Sequence, residues 1–323
     1  LTELCEYAHK LHLEIYVQPY EMSFPPRLDA LYGVNIQSPN IEQIISARYR
    51  ELFERVPLDG VVVTPTEPHP RAGYKAKYLW KTIPEAARMA VAFHKAAQAA
   101  GRKSIFRLWL VAKQAEAFQE VSGLTPDDVV FTIKNTGTDF YLSSPLTTAV
   151  SSGLPKRQPL IVEFDTFREY DGWSRYFCYM KRWKERLAVS RDNGVAGISA
   201  WGPWSPGCIN SDNWGPTPPH SWIGRWNDFR MFSSGFTPGL SNVYLISRLA
   251  FDPDASLEAI TREFCQLHLG AANADAAARA LLLTEDAFHE QYLPGAVPYY
   301  IKWTMLFWVP SKQLEAAYAA NTL

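Results

Sequence analysis

Carboxylates stand at the ends of three apolar segments of this sequence. Glu67 closes GVVVTPTE, Asp139 lies in IKNTGTDF just after FTIKN, and Glu169 belongs to an acidic cluster that follows PLIVEF. Glycoside hydrolysis needs one protonated carboxyl to give a proton to the leaving oxygen and one ionised carboxylate to activate water or attack carbon. A single acid at such a position is better explained as a helix N-cap or a solvated loop charge. Three acidic segment ends together favour a catalytic site.

Two cations interrupt otherwise apolar segments. Arg107 lies in SIFRLWLV and Lys134 in FTIKN. Such side chains are rarely fully buried unless they are paired, so they can pair with the acids or cap loops. They can also hold an anionic group of a substrate, and arginine can bind a carboxylate through two parallel hydrogen bonds. Cations on two successive segments favour an anionic ligand.

The chain is rich in tryptophan, with 11 Trp and 14% aromatic residues, and several lie near one segment end. Trp201 and Trp204 follow GVAGISA, and Tyr20 ends LEIYVQPY. Aromatic rings fill cores, and they also stack on the flat faces of sugars, so these three are predicted substrate contacts. The scattered histidines and cysteines lack the spacing of metal ligands, so no metal is expected. No G-x-S-x-G occurs, so a serine triad is not expected either. No cofactor is expected.

The elements that must position these residues are β-rich runs that alternate with helical patterns. The helical patterns include 41–56, 84–101 and 236–251, and a helix also precedes the first run. The β-rich runs are 13–20, 60–67, 104–111, 128–135, 159–167 and 195–203.

This alternation predicts a parallel α/β sheet that is buried on both faces. The absence of G-x-G-x-x-G and of GK[ST] disfavours a nucleotide-binding doubly wound fold. Polar strand ends favour a TIM (β/α)8-type barrel, whose strands converge at one face. About six βα units are visible; the others lie upstream or are too divergent to recognise.

The predicted division places the catalytic barrel region at 1–270 and a C-terminal helical extension at 271–323. The extension contains an aromatic stretch at 299–309 that packs on the barrel or on a partner chain, so a homodimer is a possible assembly. The net charge of −1, from 32 basic and 33 acidic residues, gives no reason to expect nucleic acid as a partner. No apolar run is long enough to span a membrane and no leader is visible, so a cytoplasmic or a periplasmic location is compatible with the sequence.

Over roughly 10–270 these segments resemble, in order, those of the glycoside hydrolase family 67 α-glucuronidases. GVVVTPTEPHP resembles the proton-donor segment of that family, and IFRLWLV its arginine strand. IKNTGTDFYLSSPL, PLIVEFDTFREYDGW and NVYLISRLAFDPDASLEAITREF are similar to further family segments. The chain departs from the family at Val63, where the family has lysine, and in the segments after the proton donor and after 201.

The resemblance implies an inverting, exo-acting enzyme that removes α-linked glucuronic or 4-O-methylglucuronic acid from xylo-oligosaccharides. Glu67 is then the general acid, and Asp139 and Glu169 place and deprotonate the water. Arg107 and Lys134 contact the uronate carboxylate. Two alternatives remain open: a related glycosidase that acts on another sugar or uronide, and a non-catalytic carbohydrate-binding protein derived from such an enzyme.

Overall fold

The computed structural model describes residues 1–21, 30–34, 38–65, 82–108, 114–136, 146–152, 157–166, 178–201 and 238–292. The β-rich runs of these residues form a parallel α/β half-barrel with surrounding helices, in keeping with a TIM-like fold. The prediction of a parallel α/β fold is confirmed at this level. Each of the six β-rich runs of the sequence contains a strand.

The strands are short, and the first run contributes two of them. They are β1 (Tyr16–Val17), β2 (Tyr20–Glu21), β3 (Gly60–Pro65), β4 (Lys103–Arg107), β5 (Val130–Lys134), β6 (Leu160–Asp165) and β7 (Gly197–Trp201). Both β1 and β2 pair in parallel with β3, so they act as two pieces of one edge. Pro19 lies between the two pieces and lacks the N–H group that a continuous strand would need.

The helices of the described part include those predicted at 41–56, 84–101 and 236–251, and further helices lie between and beyond them. They are α1 (Thr2–Lys10), α2 (Ile41–Arg55), α3 (Ile83–Ala99), α4 (Gln114–Gly123), α5 (Thr148–Ser151), α6 (Met180–Asp192), α7 (Pro238–Phe251), α8 (Leu257–Leu269) and α9 (Ala271–Tyr292). None of these helices has the length and apolar character that a membrane crossing requires.

Local signals set the bounds of α3. Thr82 has an extended backbone, and its hydroxyl accepts a hydrogen bond from the N–H of Glu85 at 3.4 Å. The carboxylate of Glu85 in turn accepts one from the N–H of Thr82 at 3.0 Å, which completes a capping box. Gly101 takes a φ of +66° just beyond the C-terminal end, where a side chain would be strained.

The chain divides into two compact units, of which the first contains 1–133 and 152–161. Within it, neighbouring strands follow the order β1-β3-β4-β5, and helices cover one face of this sheet. Phe131 packs edge-on against Phe106 and against Phe118 of α4, with ring centroids 6.2 and 5.8 Å apart. Phe106 and Phe131 therefore point toward the helices.

The second unit contains 134–151 and 162–323. Its described core centres on α6, where Trp183 packs edge-on against Phe164 of β6 and against Tyr179. Side chains from two other helices bind the backbone at the start of α6. The N–H of Cys178 donates to Thr284 at 2.9 Å, and the N–H of Tyr179 donates to Asn242 at 3.2 Å.

Candidate functional site

Several residues predicted to form the site fall outside the description of the structure. Glu67, Asp139, Glu169 and Trp204 lie outside the described residues. Tyr20 begins β2 and Trp201 ends β7, and in both cases the description covers the backbone alone. Arg107 and Lys134 are described with their side chains.

Arg107 is the last residue of β4, and its side chain is only 4% exposed. Side chains alternate between the two faces of a strand. Since Phe106 points toward the helices, Arg107 points to the opposite face, which we call the inner face. A buried guanidinium thus lies at the carboxyl end of a parallel strand, where α/β enzymes place their binding groups.

Threonines occupy the strands on both sides of Arg107. Thr132 of β5 is its register partner, and Val63 of β3 is the partner of Phe106, so Thr64 stands beside Arg107 as well. Because side chains alternate between the two faces of a strand, the side chains of these three residues all point to the inner face. The amide of Gln18 donates a hydrogen bond to the Thr64 hydroxyl at 3.0 Å. The first unit therefore presents one cation between two hydroxyl groups.

The Thr132 hydroxyl differs from that of Thr64. Thr132 is 3% exposed, and within the described part of the chain its Oγ1 has no hydrogen-bond partner. Buried hydroxyl groups in folded proteins are ordinarily hydrogen-bonded, because burying one without a partner is unfavourable. An unsatisfied hydroxyl on the inner face is therefore a feature that needs an explanation.

Lys134 lies in the second unit, where Glu163 is its neighbour. The N–H of Asn135 donates to the carbonyl oxygen of Glu163 at 2.9 Å, which in a parallel ladder places Lys134 opposite Glu163. Phe164 packs on α6, so by alternation Glu163 points to the inner face. Lys134 and Glu163 are 7% and 3% exposed. A cation and a carboxylate thus stand side by side among buried groups.

Asn135 holds this pair of strand ends in place. Its side-chain N–H donates to the carbonyl oxygen of Glu163 at 2.9 Å, and its own carbonyl oxygen accepts from the N–H of Thr147 at 2.8 Å. Its side-chain oxygen accepts a hydrogen bond from Arg186 of α6. Asn135 therefore points toward α6, which confirms that Lys134 points the other way.

Arg186 is a functional candidate that the sequence pattern does not reveal. In MKRWKERLAVSRD it reads as one of several cations on an exposed helix, yet it is buried. Its guanidinium carbon lies 5.2 Å from the centroid of the Trp183 ring, a cation–π arrangement. Burial lowers the pKa of Arg186 to about 9. The hydrogen bond that Arg186 donates to Asn135 can be recognised only from the structure.

No three His, Cys, Asp or Glu side chains come together as a metal site within the residues that the structure describes. The groups on the inner face are instead suited to charge-assisted hydrogen bonding. Arg107 can donate two parallel hydrogen bonds to a carboxylate, and a threonine hydroxyl can donate or accept one.

Comparisons with known proteins give little further guidance. No protein-family model matches the chain, and no curated protein matches it. A crystal structure of dihydrodipicolinate synthase from Rhodopseudomonas palustris matches with 12% identity, covering 87% of this chain and 91% of that chain, with a TM-score of 0.32. A likeness this distant does not bear on ligand or reaction.

These findings overturn the assignment to the glycoside hydrolase family 67 α-glucuronidases, which is wrong. No family model and no curated protein supports it. Glycoside hydrolysis, release of glucuronic acid from xylan fragments and the related carbohydrate alternatives are withdrawn with it. The physical reason lies in the resemblance itself: apolar strands that end in polar residues are required of any parallel α/β barrel, so short strings of this kind arise in order without a shared activity.

Proposed function

We propose that the inner face at the carboxyl ends of β3, β4 and β5 binds a small carboxylate-bearing molecule, with Arg107 as the group that binds the carboxylate. The observation that carries the proposal is the burial of Arg107 at a strand end, on the face away from the helices. Thr64 and Thr132 flank it as neutral hydrogen-bonding groups.

Physical chemistry favours an anion at this position. A buried guanidinium ion attracts a carboxylate or a phosphate more strongly than one at the surface does, because less water screens the two charges. The planar group matches the geometry of a carboxylate, which it can bind through two hydrogen bonds. The net charge of the chain is only −1, so this cation is a local feature and not part of a generally basic protein.

Lys134 and Glu163 support a related proposal for the second unit alone. Lys134 remains a predicted ligand contact there, with Glu163 beside it. Glu67, Asp139, Glu169, Tyr20, Trp201 and Trp204 also remain predicted site residues, without a role in glycoside hydrolysis. We further propose that the half-barrel is part of a complete (β/α)8 barrel, since the alternation of elements is that of such a fold.

The proposal is tested by titrating the protein with glutarate and following ligand binding by saturation-transfer NMR. Arg107→Lys keeps the positive charge but cannot donate two parallel hydrogen bonds to a carboxylate. Arg107→Met removes both the charge and the hydrogen bonds. We expect the lysine variant to bind roughly 10-fold more weakly and the methionine variant roughly 100-fold more weakly, since charged hydrogen bonds contribute about 1.5–3 kcal/mol each.

The matched control is Lys103→Gln. Lys103 lies at the opposite end of the same strand, and its side chain is 63% exposed. Binding by this variant should equal that of the wild type. Circular dichroism establishes that each variant is folded. Wild-type protein that binds no carboxylate, or folded Arg107 variants that bind as well as the wild type, would overturn the proposal.

A further inference from the structure

The unpartnered hydroxyl of Thr132 bears on which carboxylate this face accepts. We infer that the ligand carries an oxygen substituent, hydroxyl or oxo, on the carbon next to its carboxylate, and that this oxygen hydrogen-bonds to Thr132. The inference rests on the proposed function, because it takes Arg107 as the group that holds the carboxylate. It adds a substrate class: 2-hydroxy and 2-oxo carboxylic acids.

The other buried hydroxyl groups in the described part of the first unit have partners. Thr64 accepts from Gln18 at 3.0 Å, Ser104 lies 3.2 Å from His94, and Thr125 donates to the carbonyl of Val121 at 3.1 Å. Among the described buried polar side-chain atoms, Thr132 Oγ1, Trp183 Nε1 and His94 Nε2 have no hydrogen bond.

The two nitrogen atoms differ from Thr132 in their surroundings. Trp183 packs on Phe164 at the helix-facing side of β6, and His94 lies on α3 with its Nε2 3.2 Å from a carboxylate oxygen of Asp128. Thr132 is the member of this group that points to the inner face. The unsatisfied hydroxyl and the proposed anion-binding guanidinium therefore share one face.

Their spacing suits one small ligand. Arg107 and Thr132 are register partners on neighbouring parallel strands, which run roughly 4.8 Å apart. An arginine side chain is longer than a threonine side chain, so a carboxylate bound by the guanidinium would lie farther from the sheet than Oγ1. A substituent one bond from the carboxylate and directed back toward the sheet is the ligand atom placed to reach that hydroxyl.

The residue type at this position supports the same conclusion. Buried strands of parallel sheets favour valine and isoleucine, and β5 has isoleucine at the next position. Valine has nearly the same shape as threonine and would avoid the unsatisfied hydroxyl. A threonine hydroxyl both donates and accepts hydrogen bonds, so it fits an oxo group as well as a hydroxyl group.

The test compares glutarate, the two enantiomers of 2-hydroxyglutarate and 2-oxoglutarate on the wild type and on two variants. Thr132→Val removes the hydroxyl while keeping the shape, and Thr132→Ser keeps the hydroxyl. We expect the wild type and the serine variant to bind an oxygen-bearing probe about 10-fold more tightly than glutarate, as one added hydrogen bond implies. We expect the valine variant to bind all the probes with the same affinity, because it lacks the hydroxyl that distinguishes them. Tighter binding of 2-hydroxyglutarate than of 2-oxoglutarate would indicate a hydroxy acid as the ligand, and the reverse order would indicate an oxo acid.

Two results would overturn the inference: wild-type protein with no preference among the probes, or a preference that persists in Thr132→Val. Should the valine variant fail to fold, the wild-type preference and its retention in Thr132→Ser decide the matter. Failure of the proposed function has a different signature, because Arg107→Lys would then bind glutarate as tightly as the wild type does.

Discussion

Glu285 of α9 is buried against the start of α6, where its carboxylate accepts backbone hydrogen bonds. The N–H groups of Lys181 and Arg182 donate to it at 3.0 and 3.3 Å. Burial raises the pKa of Glu285 to about 7, and these two hydrogen bonds oppose the rise. Lys181, at the same time, pairs with Asp286 at 2.5 Å. The start of α6 thus depends on a carboxyl group that titrates near neutral pH.

This shift makes the stability of the protein depend on pH. The folded-state pKa of Glu285 lies above its ordinary value of 4.5, so its contribution is fully present below pH 4.5 and is lost as the pH rises to about 7. We expect the free energy of unfolding to fall over this window by at most about 3 kcal/mol. Urea unfolding followed by circular dichroism at several pH values measures the effect.

Glu285→Gln keeps an oxygen that accepts hydrogen bonds but cannot ionise. Its unfolding free energy should therefore change less between pH 4.5 and 7 than that of the wild type. Asp275→Asn is the control on the same helix, because that carboxylate is 68% exposed and should leave the slope unchanged. The same slope in Glu285→Gln as in the wild type would show that Glu285 does not titrate in this window.

At the residue scale the sequence reveals charges but not their surroundings. Arg107 and Lys134 can be found because a cation inside an apolar run is unusual, and both prove to be buried. Thr132 cannot be found, because threonine is an ordinary strand residue and its missing hydrogen bond is a three-dimensional property. Arg186 escapes notice since its helix carries several cations and the sequence does not show which one faces Asn135.

At the scale of elements, Gly60 allows three strands to lie close together. It pairs with Tyr16 of β1 on one side and with Lys103 of β4 on the other. A Cβ atom at this position would lie 2.5 Å from the carbonyl oxygen of Lys103 and 2.5 Å from the ring of Tyr16. Neither contact can be relieved by moving only the tip of a flexible side chain. β3, the strand that carries Thr64, can therefore pack this closely between β1 and β4 because Gly60 has no side chain.

We expect Gly60→Ala to reduce the free energy of unfolding by about 1–3 kcal/mol, as overpacking of a tight interior does. Chemical denaturation provides the measurement. Gly123→Ala is a matched control: it ends α4, has nothing within 4 Å of the added Cβ, and replaces glycine by the best helix former. Equal stability of Gly60→Ala and the wild type would mean that the strands can separate without loss.

The elements themselves were largely predictable. Each apolar run contains a strand, and the proline near the start of α3 and the glycine beyond its end correspond to its observed bounds. The split of the first run into β1 and β2 follows from Pro19, whose effect is local and readable. Gly270, whose φ is +77°, separates α8 from the Ala-rich α9.

At the scale of the whole molecule, the arrangement of elements was predictable and the activity was not. Alternating strands and helices bury apolar surface in the same way whatever the reaction, so they determine the architecture. Function depends on a few side chains at strand ends, and similar strand ends occur in unrelated enzymes. The incorrect α-glucuronidase assignment followed from treating that shared pattern as a sign of shared chemistry.

The balance of charges has a consequence for the molecule in solution. With 32 basic and 33 acidic residues the isoelectric point is about 6.7, so net repulsion between molecules is weakest there. We expect self-association at low salt to be greatest near pH 6.7 and to decrease toward pH 8.5. Dynamic light scattering across this range measures it. A dimer-sized particle at every pH would instead point to association through apolar contacts, as in the homodimer that remains a prediction.

The hydrogen bonds of the Asn135 side chain also determine when this part of the sheet can form during protein synthesis. Protein synthesis proceeds from the N-terminus, and the partners of Asn135 follow it by 28 residues at Glu163 and by 51 residues at Arg186. Until the chain has been extended through α6, the side-chain oxygen of Asn135 can bind only water. The carboxyl end of β5, where Lys134 lies, is therefore completed only after α6 has been synthesised.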